Sequence, residues 1–104
     1  MSQPIPTTQH IASVPVHDLA AAWNVHAVGQ GLVDPATELL AVPTLDRNNH
    51  VGWRPAFRVP STSTLVVVHT ASPHASCEEA RRCLLDLLGA MAAEGSIIAP
   101  EVAA

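Results

Sequence analysis

The sequence predicts an α+β domain of order α-β-β-β-α: an antiparallel three-stranded sheet with helices packed on one face and short optional strands at either end. Three observations carry this reading. Thr64-Leu65-Val66-Val67-Val68-His69-Thr70 is a β-branched run, apolar on both pleat faces, as expected of a central strand. Val51 to Val59 alternates, with Val51, Trp53, Pro55, Phe57 and Val59 on one face and Gly52, Arg54, Ala56 and Arg58 on the other. A helix follows, starting at a capping-box pattern (Ser76 with Glu79 three residues on) and ending near Gly95.

Taken in chain order, residues 1–9 read as a flexible arm, since two prolines and no periodicity give them nothing to pack with. Residues 10–104 form the single domain. His10 to Val16 suits a short extended segment confined to an edge by Pro15. Asp18 is the expected N-cap of a first helix from Leu19 to about Val28, with Leu19, Trp23 and Ala27 at helical spacing. Gly29 and Gly31 punctuate its end. After the Asp34-Pro35 turn, a strand runs from Glu38 to Thr44, and Asp46-Arg47-Asn48-Asn49 turns the chain into the alternating strand. Pro55 lacks a ladder donor, so a locally open edge or a bulge is expected there. Pro60-Ser61-Thr62-Ser63 turns into the central strand. Ser72-Pro73 offers the second helix an alternative start. Its predicted buried stripe is Cys77, Ala80, Leu84, Leu87, Leu88 and Met91, and Ser96 to Ala99 reads as a short last strand.

Composition excludes several function classes. At 104 residues the chain can bury about 65% of its unfolded surface, enough for one modest core. Hydrophobic content of 48% against 13% charged argues against disorder throughout. The net charge is −4 and the five basic residues are all arginines, a poor footing for gripping a phosphate backbone, so no nucleic acid is expected. No window approaches ~18 continuous apolar residues, and Met1-Ser2-Gln3-Pro4 carries no secretory pattern, so no membrane is expected and a cytoplasmic or virion setting is. Cys77 and Cys83, six apart on one helix, would stand roughly 9 Å apart along its axis and cannot bridge.

Motifs for chemistry are sparse. Six histidines (His10, His17, His26, His50, His69, His74) form no metal-ligand spacing, and no Cys-x-x-Cys is present. The tightest group is His69, His74 and Cys77, at a strand-to-helix junction, and it supplies the enzyme or metal alternative. Against it, each member has an ordinary place as strand end, loop residue or helix-stripe residue. There is no Gly-x-Ser-x-Gly elbow and no carboxylate dyad beyond the helix-start pair Glu78–Glu79. Neither a catalytic residue nor a cofactor is assigned.

The surplus of apolar surface is the better evidence. Around the second helix, Cys83 to Leu85 spans an arc of about 200°, twice what an ordinary surface helix needs. With Val66 and Val68 taken as the reverse face of the central strand, surface remains bare, and monomers rarely tolerate large patches. Trp53 on a hairpin with Arg54 and Arg58 adds the residue types enriched at interfaces. The expected interface is therefore Trp53, Arg54, Arg58, Val66, Val68, Leu85 and Leu88, and the expected partner is a second copy of the chain or another protein.

Two resemblances bear on this. Leu65-Val66-Val67-Val68 followed by Glu78-Glu79-Ala80-Arg81-Arg82 and the Leu84–Leu88 run resembles the small tail-terminator and head–tail joining proteins of tailed phages over about a third of the chain. That family implies a ring-forming virion component without catalysis. Phe57-Arg58-Val59 and Ala75 to Arg81 are similar to the second strand and last helix of a double-stranded RNA-binding domain. There Cys77 and Glu78 stand where a lysine pair would grip phosphate, so the resemblance implies a protein-binding adaptor. The leading expectation is a non-enzymatic, oligomeric association module.

Overall fold

The structure, a computed structural model, describes residues 10–60 and 64–100. The expected arm, the turn residues Ser61 to Ser63 and the last four residues lie outside that range. The chain is α+β, with helices α1 (Leu19–His26) and α2 (Cys77–Ala93) and a mixed four-stranded sheet. Its strands are β1 (His10–Pro15), β4 (Glu38–Leu45), β5 (Val51–Val59) and β6 (Thr64–His69), in spatial order β1-β6-β5-β4. Between α1 and β4, β2 (Val28–Gly29) and β3 (Leu32–Val33) make a separate small hairpin.

The three expected strands are present as antiparallel neighbours, but the sheet is not three-stranded. The segment before α1 joins it as β1, parallel to β6, in register from His10↔Thr64 to Pro15↔His69. A β-branched run with no polar face cannot serve as an edge strand. β1 gives β6 its second ladder, and the long excursion from residue 16 to residue 63 is what allows the two to be parallel.

The β4–β5 hairpin pairs eight residues against eight, from Glu38↔Arg58 to Leu45↔Val51. Asp46 holds its tip by accepting from the backbone N–H groups of Asn48 (2.8 Å) and His50 (2.9 Å), while Asn49 takes a positive φ. The β5–β6 ladder covers only Ala56 to Val59 and stops short of Pro55. Beyond that point the loop before α2 takes the place of β6, and Trp53 and His74 exchange both backbone hydrogen bonds, at 2.9 and 2.7 Å.

The first helix ends two residues early. Gln30 (φ 54°) and Gly31 (φ 81°) form a two-residue hairpin turn that needs positive φ at both central positions, so the glycines punctuate β2–β3. Asp18 makes no side-chain cap, because a 3-10 turn over Val16–Asp18 leads straight into the helix and leaves Asp18 at φ −99°, ψ 0°. α2 behaves as expected: Ser76 Oγ accepts from the Glu79 N–H at 3.2 Å. Its end is a Schellman motif, in which Ser96 donates to Met91 (2.9 Å), Gly95 to Ala92 (3.0 Å), and Gly95 sits at φ 82°.

Both helices pack on one face. The register places Ala12, Val66, Phe57 and Leu39 in a row across the sheet, and all four belong to or pack against the core around Leu19, Trp23, Leu84 and Leu88. Trp23 meets Phe57 edge-to-face at 5.0 Å. The expected last strand is not formed. Ile97 instead drops into the core, and the Ile98 carbonyl accepts from Trp23 Nε1 at 3.0 Å, satisfying the one polar atom of a buried indole.

Candidate interaction surface

Among the described residues, the opposite face of the sheet carries no helix. Its residues follow from the same register: Ile11, Leu65, Arg58 and Glu38 form one row, and Ser13, Val67, Ala56 and Leu40 the next, with Arg54 paired to Val42 beyond. Ile11 is 66% exposed, and Leu65, Leu40 and Val42 are half-buried. Ala56 and Val67, at the centre, are buried although no helix among the described residues lies over them. Arg54 and Arg58 flank Ala56 on its own strand and face, and their alkyl stems are the natural cover for it.

The charges on this face are used within the chain. Arg58 Nη2 donates to Glu38 Oε2 at 2.7 Å, a cross-strand pair in which both side chains remain over a third exposed. Arg54 Nη1 donates to the Thr70 carbonyl at 3.2 Å. The face is therefore an apolar band in which Arg58 is ion-paired and Arg54 holds a backbone carbonyl.

This placement corrects the expected interface. Val66, Val68 and Leu88 are fully buried against the helices, and nothing can dock on them in the folded chain. The reason for the strand error is parity: a run apolar on both sides does not reveal which side meets the helices, and a one-residue shift exchanges the two sets. Leu65 and Val67, not Val66 and Val68, point away from the helices. On α2 the buried line is Ala80, Leu84 and Leu88, four apart, with Leu85 half-buried at its side and Cys77 exposed. Trp53 lies on the helix face, half-buried beside Leu39, Cys77 and Arg81, so it does not join Arg54 and Arg58 in one surface. Ile11, Leu40 and Val42 were missed because only the register, not their local pattern, brings them beside Leu65.

Among the described residues, no group of three or more His, Cys, Asp or Glu is placed to hold a metal ion, so His69, His74 and Cys77 do not form one. His69 is exposed at the end of β6, and His74 is tied by its backbone to Trp53. Burial, and secondarily the neighbouring Asp86, push the Cys83 thiol up from its ordinary pKa, away from nucleophilic character. No helix among the described residues is long and apolar enough to cross a membrane. Comparison with family models, curated proteins and solved structures finds no match for the chain.

Proposed function

We propose that this chain is a non-enzymatic self-association module in which the helix-free face of the sheet is covered by the same face of a second copy. The observation that carries the reading is that both helices occupy one side of a four-stranded sheet while, among the described residues, the apolar rows on the other have no second layer. Three further features favour a second copy as occupant. Arg58 is paired with Glu38 and Arg54 donates to the Thr70 carbonyl, so the face carries one uncompensated charge and no charged patch to recruit an oppositely charged partner. The sheet edges are blunted: β1 ends in Pro15, and Arg81 Nε on α2 takes the Leu39 carbonyl of β4 at 3.1 Å, which disfavours edge-to-edge extension. Finally, four strands about 4.8 Å apart and some 24 Å long present roughly 450 Å² in projection. That falls below the usual ~800 Å² per partner of a stable complex and suits a weak, reversible contact. A virion or other large assembly, as the phage resemblance implies, is a setting in which many such contacts act together.

Native mass across a dilution series tests this directly. The expected result is a dimer at high concentration that dissociates on dilution, and the Ile11→Glu/Leu65→Glu double variant should be monomeric throughout with unchanged circular dichroism. A wild-type chain that is monomeric at every concentration would overturn self-association and turn attention to a foreign protein partner.

A further inference from the structure

The described residues leave six large hydrophobic side chains exposed, and four of them gather at the two ends of β5. Where β5 ends, Val59 lines an open cleft of about 430 Å³ between the end of α1, the β2–β3 hairpin and Pro35. Val25 and Leu32, each more than half exposed, line it together with Val28, and Asp34 is the one carboxylate among the lining residues. The cleft is held in shape from within. The Asp34 N–H donates to the Ala27 carbonyl at 2.8 Å, and Gln30 and Gly31 close the hairpin at positive φ.

The other end of β5, about 26 Å away at the usual rise of a strand, is the tip of the β4–β5 hairpin. The register pairs Leu45 directly with Val51, so the two side chains stand together on one face of the tip, each more than half exposed. The tip projects, because the β5–β6 ladder begins only at Ala56 and no strand flanks the hairpin beyond the Trp53–His74 bridge. Asp46 is turned onto the Asn48 and His50 N–H groups. Arg47 is left as the cation of the tip, exposed and in no ion pair among the described residues.

We propose that the hairpin tip of one copy seats in the cleft of the next, with Leu45 and Val51 against Val25, Val28 and Leu32 and with Arg47 beside Asp34. A projection meets a depression, both are apolar, and their charges are opposite. Neither end suits its own kind. Tip on tip would bring two Arg47 side chains together, and cleft on cleft would oppose two Asp34 carboxylates and leave both hollows unfilled. The two surfaces differ and lie at opposite ends of one strand, so the contact is head-to-tail and can repeat from copy to copy. It goes beyond the pairing of helix-free faces and uses none of the residues of that face. Two apolar side chains and one charge make it weak, with a dissociation constant on the order of 1 mM. It is therefore read above the concentrations of the dilution series.

The test is an NMR titration on the Ile11→Glu/Leu65→Glu background, where face pairing is removed, so its outcome does not depend on whether faces pair. Leu45→Glu blocks the tip and Leu32→Glu blocks the cleft; both positions are exposed, and circular dichroism should be unchanged. Expected are saturable amide shifts at Val25, Val28 and Asp34 of the labelled tip-blocked chain when the unlabelled cleft-blocked chain is added, and none when more tip-blocked chain is added. Reversing the labels should move Arg47 and Val51 instead. Arg47→Glu in the cleft-blocked chain should weaken the contact about threefold, the size of an exposed ion pair. Absence of shifts on mixing at about 1 mM, or equal shifts when either variant is added to itself, would overturn the proposal. So would cleft shifts that appear only on deletion of residues 1–9, which would assign the cleft to that segment of the same chain.

Discussion

Gly52 shows how one residue can position a whole segment. Any side chain at this point would drive into the Pro73 ring, which is rigid and cannot swing aside. Gly52→Ala should therefore push the loop off β5, break the Trp53–His74 bridge and lower stability by about 1–3 kcal/mol, read by chemical denaturation. The amide protons of Trp53 and His74 should exchange faster in that variant. The two cysteines offer a contrast at the same scale. Cys77 is exposed and Cys83 partly buried, so a thiol reagent should modify Cys77 first under native conditions. Cys83 also gives a pH dependence. Its thiol holds its proton more tightly folded than unfolded, so above the ordinary thiol pKa of roughly 8.5 the unfolded chain ionises first and stability falls. Cys83→Ser should flatten that alkaline slope in urea titrations.

Within elements, burial separates neighbours that look alike in the sequence. Leu88 is fully buried on the line through Ala80 and Leu84, while Leu85 is only half-buried. Leu88→Ala should cost about 2–5 kcal/mol and Leu85→Ala markedly less, a difference that equilibrium unfolding resolves. A charge at Leu88 would unfold the chain before it revealed anything about an interface, which is why Ile11 and Leu65 are the informative positions. The elements themselves were largely legible. Strict alternation from Val51 to Val59 gave β5 its limits, Ser76 with Glu79 marked the start of α2, and Gly95 its end. The β2–β3 hairpin was not, because Gly29-Gln30-Gly31 serves equally as a helix stop, and the choice depends on Asp34 reaching back to bond the Ala27 carbonyl at 2.8 Å.

For the molecule as a whole, the question is what lies on the second face of the sheet. The helices bury Phe57, Val59, Val66 and Val68 and, among the described residues, leave Ile11, Leu65, Leu40 and Val42 without a covering helix. Glu38→Gln, which removes the partner of Arg58, should change folding stability by no more than about 1 kcal/mol because that pair is well exposed. It should nevertheless weaken self-association, since a guanidinium without its partner would then enter an apolar contact. Comparing denaturation with the dilution series separates the two effects.

Composition and local pattern by themselves determined that this chain is α+β, where most of its elements lie and that its apolar surface is plentiful. Those properties depend on periodicity and capping, which act over a few residues. Only the tertiary structure decided that the segment before α1 becomes a parallel fourth strand, that Ile97 and the Ile98 carbonyl complete the pocket of Trp23, and which side of β6 faces the helices. Each depends on partners dozens of residues away. For β6 the local signal is symmetric: four consecutive apolar residues fit either parity, and the pairing of Phe57 with Val66 is what breaks the tie.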